Sequence, residues 1–130
     1  MSDVPSDLLY TPEHEYLRRT DEENVFTVGI TDYAQGELGD IVYVELPSEG
    51  DTFKRMDVFG TVEAVKAVSD LYCPVGGEIV EVNGSLADDP AQVNADPYGK
   101  GWMLRIRLAD LTELDALLGA DEYSRQIGEG

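Results

Sequence analysis

The sequence predicts a mainly β domain with a helical tail. Three observations carry that reading. Short runs rich in Val, Ile, Tyr and Thr recur as far as Leu108, each bounded by Gly, Pro, Asn or Asp. Beyond Asp110 the apolar spacing changes from two residues to three and four. Gly39-Asp-Ile-Val-Tyr-Val44 is echoed by Gly77-Glu-Ile-Val-Glu-Val82, with a copy on each side of a lysine-bearing turn. Two copies do not make a solenoid. In a β structure of approximate two-fold symmetry they would put that turn near the axis.

Thr11 and Pro12 form a helix-start signal, a capping residue followed by a residue suited to the first helical position, which predicts about one helical turn. Val25–Ile30 reads as a strand, and Thr31–Gly36 as a short helix or tight turn. Asp40–Leu46 is a strand ended by Pro47, and Gly50-Asp51 a turn. Val58–Val65 is a strand, and Ala67–Leu71 continues beyond Lys66, giving a hairpin around 58–72. Pro74–Gly77 is a loop and Glu78–Val82 a strand. Asn83–Pro97 is turn-rich and expected to be irregular, and Trp102–Leu108 alternates as a strand should. In the tail, Asp110 and Glu113 have capping-box spacing. Leu111, Leu114, Leu117 and Leu118 give an apolar stripe, Gly119 a stop, and Glu122–Ile127 a further helical turn, so the tail spans about 110–127.

The chain has 130 residues, one domain's worth (1–130), and enough to bury a core without staples. It carries 27 acidic and 9 basic residues, a formal charge of −18. That balance works against nucleic-acid binding and against anionic membrane surfaces. It suits solubility, and electrostatic steering onto basic partners. Cys73 is the single cysteine, which fits a reducing compartment. The first residues, from Met1, have neither a basic n-region with an apolar run nor an Arg-rich, acid-poor pattern. A bacterial cytoplasm is the expectation, or a mitochondrial matrix if a leader was removed, and a monomer is the expected state.

Conventional catalytic sets are lacking. There is one histidine, His14, and no G-x-S-x-G, CxxC or HExxH pattern, so neither a hydrolase nor a metal centre is expected. Asp88-Asp89 does not have the order of a calcium loop, and Gly99-Lys-Gly101 is not a phosphate loop. His14 reads as a satisfied or surface histidine, and Cys73 as a small core residue, since a reactive thiol needs an electropositive setting.

Lys66 remains. It sits in Gly60-Thr-Val-Glu-Ala-Val-Lys-Ala-Val-Ser-Asp70, where a turn would ordinarily use Gly, Asn, Asp or Pro. Three readings are open at this point. It is a solvated lysine on a hairpin, a Schiff-base lysine, or a tether for a covalently attached group. Schiff-base chemistry needs burial of the amine, and an exposed turn works against that. A tether needs only exposure, a rigid hairpin and a modifying enzyme, which is what this segment offers.

At these residues the chain resembles the H proteins of the glycine cleavage system, and the resemblance covers nearly its whole length. Its motifs are Pro12-x-His14-Glu15, Val28–Gln35 with Leu38–Pro47, Val62-Glu-Ala-Val-Lys-Ala-Val-Ser-Asp70, Val93-Asn-x-Asp-Pro-Tyr-Gly-x-Gly-Trp102 and Glu113–Tyr123, all in order. The resemblance implies a barrel-sandwich hybrid of two small antiparallel sheets, lipoyl-domain-like, with short helices and a C-terminal helix. It implies lipoic acid joined as an amide to Lys66, which removes the lysine charge. It implies that Glu63 and Gly77 are read by the lipoyl-modifying enzymes, and that Glu15 and Asp70 line a cleft for the aminomethyl-loaded arm.

The implied role is that of a non-catalytic shuttle in glycine decarboxylation and one-carbon metabolism. Its partners would be glycine decarboxylase (P protein), aminomethyltransferase (T protein) and dihydrolipoamide dehydrogenase (L protein). Tethering gives each partner a high effective concentration of its substrate. Two departures stand out: Ala64 where Ser is common, and Cys73 where Ala or Ser is usual. The alternatives are an H-like protein that relays lipoyl groups to other enzymes, and an acidic binding module without a cofactor. A biotinyl domain would show Met-Lys-Met, and a 2-oxoacid dehydrogenase lipoyl domain Asp-Lys-Ala.

Overall fold

The computed structural model describes residues 3–128. The outermost positions of the expected domain, among them the Met1 that bears on compartment, lie outside the described residues. In chain order the elements are β1 (Leu9–Tyr10), β2 (Glu15–Arg19), β3 (Val25–Ile30), α1 (Asp32–Leu38), β4 (Ile41–Glu45), β5 (Thr52–Phe53), β6 (Val58–Ala64), β7 (Val68–Tyr72), β8 (Gly77–Val82), α2 (Ser85–Asp88), α3 (Gln92–Ala95), β9 (Leu104–Leu108), a 3-10 turn (Leu111–Ala116) and α4 (Ala120–Gln126).

The strands form two antiparallel sheets that do not close into a barrel. One has six strands in the order β1-β2-β3-β9-β8-β5, and the other three in the order β4-β6-β7. The expected pair of small sheets is therefore unequal in size. The two halves of the internal echo fall in different sheets, β4 in one and β8 in the other. Between the sheets lies a core that includes Phe26, Val28, Ile41, Val62, Leu71, Ile79, Leu104 and Ile106. A second cluster, Leu8, Tyr10, Tyr16 and Tyr123, ties the tail to β1. In it the Tyr10 and Tyr123 rings stack 4.7 Å apart. Such a pair adds about 0.5–1.5 kcal/mol beyond its buried area.

Five local expectations are corrected. The helix start at Thr11 is a β-turn joining β1 to β2. The Thr11 hydroxyl does accept from the Glu13 and Glu15 amides, as a cap would. His14 then takes a φ of +74°, which turns the chain back into a strand instead of onward into a helix. The resulting strand, β2, shows no clean alternation because Glu15, Tyr16 and Leu17 are all buried.

Asn83–Pro97 is ordered, with α2 anchored by buried Leu86 and α3 by buried Val93. The leucine stripe is not one helix. Its 3-10 turn ends at Leu117, because Leu118 leaves in extended form to exchange two 2.8 Å backbone bonds with Tyr10. Gly119 therefore precedes α4 as its N-cap instead of stopping a helix. The capping box is also incomplete. Asp110 accepts from the Thr112 amide at 2.9 Å, but the Glu113 carboxylate accepts from the Gly76 amide at 2.7 Å.

Candidate functional site

β6 and β7 form a hairpin whose tip is Val65-Lys66. The Ala64 amide donates to the Ala67 carbonyl at 2.7 Å and closes the turn. Neither tip residue needs a left-handed backbone; among described non-glycine residues only His14 and Met56 have positive φ. This is why the turn forms without the Asn-Gly usual in tight hairpins. Val65 is 77% exposed, and Lys66 is exposed beside it. The tip is tied down from outside the hairpin by the Val65 amide, which donates to the Asp40 carbonyl at 3.1 Å. The lysine stem lies along Gly39, where an added Cβ would sit 3.3 Å from Lys66 Cε.

A cleft of about 220 Å3 opens between the β1–β2 turn, α1 and the hairpin. Its apolar lining includes Ile30, Leu38, Val62 and Leu71, and its acids are Glu13, Glu15, Glu37 and Asp70. Leu38 borders the cleft, and the next residue, Gly39, is the one in contact with Lys66, so cleft and lysine adjoin.

The two predicted cleft acids come from opposite sheets. Asp70 is exposed on β7, whereas Glu15 on β2 is 1% exposed. Glu15 Oε1 accepts from the Thr11 hydroxyl at 2.7 Å, and Oε2 from the Tyr72 amide at 3.3 Å. Burial pushes the Glu15 carboxyl up to about 8, although those two hydrogen bonds act in the opposite direction. Near neutral pH the group is thus largely held as the protonated acid.

His14 also borders the cleft. Its Nδ1 lies 2.8 Å from the Tyr123 hydroxyl, which lies 2.7 Å from the Thr31 hydroxyl. Burial holds the imidazole below its ordinary value, so the histidine is satisfied by its own fold. Cys73 is fully buried, and burial pushes its thiol up to about 12, which keeps it from acting as a thiolate.

Glu63 is exposed on β6, in a cross-strand row with Tyr43 and Val68 near the tip. Gly77 is buried at the start of β8, where an added Cβ would stand 2.1 Å from the Arg107 carbonyl oxygen. Close strand approach is therefore sufficient reason for a glycine there. A larger hollow of about 610 Å3 on the six-stranded sheet is lined by Arg18, Arg19, Arg105 and Arg107. Two of these cations are already paired, Arg105 with Glu81 and Arg107 with Glu78.

Among the described residues no cluster of three or more His, Cys, Asp or Glu could hold a metal ion, and no helix is long and apolar enough to cross a membrane. The sequence did not single out Asn94 as a functional residue. It lay inside a quoted motif, but the use of its side chain depends on partners 53 to 59 residues away.

Two antiparallel sheets that hold one lysine on an exposed hairpin, beside an acid-lined cleft, make a lysine-displaying β domain. Over residues 8–130 the chain matches the glycine cleavage H-protein family. It is 55% identical over 126 residues to a glycine cleavage system H protein of Staphylococcus epidermidis, covering 97% of this chain and 98% of that one. It is 53% identical over 129 residues to the H protein of Rubrobacter xylanophilus, covering 99% and 98%. The crystal structure of a glycine cleavage system H protein from Mycobacterium marinum superposes with a TM-score of 0.84 at 39% identity, over 96% of this chain and 99% of that chain. The chain belongs to the glycine cleavage H-protein family.

Proposed function

We propose that the chain is the lipoyl-bearing shuttle of a glycine cleavage system, a carrier and not a catalyst, with lipoic acid amide-linked to Lys66. The observation that supports this most is the placement of Lys66, exposed at a two-residue tip and adjoining a cleft with an apolar lining and a buried acid. Bound lipoate supplies a dithiolane that accepts and releases an aminomethyl group and two reducing equivalents. The protein's part is display, shelter and hand-over. The hairpin presents the arm to glycine decarboxylase, aminomethyltransferase and dihydrolipoamide dehydrogenase in turn.

The apolar lining, Ile30, Leu38, Val62 and Leu71, suits an aliphatic arm. Asp70 suits the ammonium of a loaded arm, Glu15 suits it once an ammonium beside it draws off the proton, and enclosure limits the access of water to the arm. Glu63, exposed in the row next to the tip, is placed where a lipoyl-modifying enzyme could read it. For Gly77 a recognition role would come on top of its steric one. Kinship with bacterial H proteins supports a bacterial cytoplasmic setting.

The test is mass spectrometry after incubation with lipoate, ATP and a lipoate ligase. The expected result is one lipoyl group per chain, located on the Lys66 peptide and absent from Lys66→Arg. No addition, with a ligase that modifies a control carrier, would overturn the reading.

A further inference from the structure

The hairpin tip is far out in solvent, yet it has a fixed seat. The link that holds it from outside the hairpin is the Val65 amide on the Asp40 carbonyl. Asp40 is itself exposed, at the junction of α1 and β4, where β4 also breaks register between Ile41 and Tyr43. Something must hold that junction if the seat is to be rigid.

Asn94, on α3, does so from both sides of Asp40. Its Nδ2 donates to the Gly39 carbonyl at 2.9 Å and to Gln35 Oε1 at 2.9 Å. Its Oδ1 accepts from the Ile41 amide at 2.8 Å. Both donor hydrogens and the acceptor are used, and every partner lies in the segment 35–41. Gly39 is held at φ +81°, and against it lies the Lys66 stem.

We propose that Asn94 is a positioning residue for Lys66: it clamps Gly39 and Ile41, fixes the Asp40 carbonyl between them, and so sets where the hairpin presents its amine. The proposal rests on the reading of Lys66 as the attachment site. The consequence is kinetic. An acyl-transfer enzyme that docks on the exposed row Tyr43–Glu63–Val68 would still find that row in place without the clamp. The amine would be out of line with the activated acyl group, and a misplacement of ~1 Å can cost up to about 10²-fold in rate.

Asn94→Asp is the informative variant. It is isosteric and keeps the acceptor for the Ile41 amide, but it has no donor for the Gly39 carbonyl. Steady-state lipoylation should show kcat reduced about tenfold with KM for the carrier changed less than about twofold. Amide exchange in the unlipoylated protein should be faster at Val65 by about tenfold and unchanged at Ile79, which lies in the other sheet and donates to the Asp51 carbonyl. An unchanged kcat overturns the proposal. So does exchange that quickens at Val65 and Ile79 together with a raised KM, since that marks general loosening.

If Asn94→Asp does not fold, Gly39→Ala presses on the same contact from the opposite side. It should give the same kcat loss, and normal kinetics there would overturn the proposal. If the parent protein takes up no lipoyl group, the reading of Lys66 fails separately. The clamp is then judged by exchange alone, standing if Val65 quickens in Asn94→Asp and falling if it does not.

Discussion

The two sheets share a core but finish their outward faces in opposite ways. On the six-stranded sheet, Arg18, Thr27, Arg105 and Glu81 form a cross-strand row by register, and Arg105 donates to both Thr27 and Glu81. On the three-stranded sheet, Val42, Tyr43, Val58 and Val68 are 46–67% exposed, and Val65 projects beyond them. One face satisfies its own polar groups. The other leaves apolar side chains in water, Tyr43 and Val68 near the lysine-bearing tip and Val58 at the opposite end of the hairpin. Scattered exposed apolar residues need no explanation, but several on one small face are suited to a partner. The stabilising work and the display work are thus assigned to different sheets.

That contrast concerns side chains and not backbones, because each sheet has a glycine pressed against the carbonyl of a neighbouring strand. A Cβ at Gly77 would stand 2.1 Å from the Arg107 carbonyl, and one at Gly60 would stand 2.1 Å from the Glu45 carbonyl. Backbone atoms cannot yield as a flexible side chain can. Gly77→Ala and Gly60→Ala should each cost about 2–3 kcal/mol in chemical denaturation. Gly77→Ala also separates its two roles. A folded, stable variant that is no longer lipoylated would make Gly77 a recognition residue. A destabilised one, lipoylated normally at a temperature where it stays folded, would leave only the steric role.

Glu15 joins the two halves, being a residue of β2 whose carboxylate takes the amide of Tyr72 from β7. Its substitution should give an effect of similar size, but one that depends on pH. The folded protein retains a proton on Glu15 that the unfolded chain gives up above its ordinary value of 4.5. The resulting stability is present in full below that pH, declines through the interval, and is gone once pH passes about 8. Glu15→Gln cannot ionise and, like the protonated acid, offers one acceptor oxygen, which can take the Tyr72 amide while its NH2 faces the Thr11 hydroxyl. It should match the parent at pH 4 and exceed it by about 2–4 kcal/mol at pH 8.5. Parallel stability curves for the two proteins would show that folding leaves the Glu15 carboxyl at its ordinary value.

The display half was more legible in the sequence than the satisfied half. β3, β4, β6, β7 and β8 are announced by β-branched residues between Gly and Pro punctuation, and Lys66 by the oddity of a lysine in a turn. β2 was hidden because burial of three consecutive residues erases the period of two, while Thr11-Pro12 imitates a helix start. The leucine stripe reads as a helix that runs to Gly119 because local spacing cannot register the pull of Leu118 towards Tyr10, 108 residues earlier. The cleft was legible only as a resemblance. That Glu15 is buried and Asp70 exposed follows from which sheet each belongs to, which no local pattern reports.

The smallest expected effects test the contrast most directly. The Arg105–Glu81 pair is half in solvent, with side-chain exposures of 36% and 47%. A double-mutant cycle through Arg105→Ala and Glu81→Ala should give a coupling of about 0.5 kcal/mol, falling in high salt. Arg105 also stacks over Trp102, 4.5 Å from the ring centroid, so the single Arg105→Ala variant should lose more than the coupling alone. On the other sheet, Val68→Ser removes a side chain that is 67% exposed and should change stability by less than about 0.5 kcal/mol. A larger loss at Val68 than the Arg105–Glu81 coupling would mean that the apolar face is part of what holds the hairpin together. In that case the division between a face that stabilises and a face that displays would have to be abandoned.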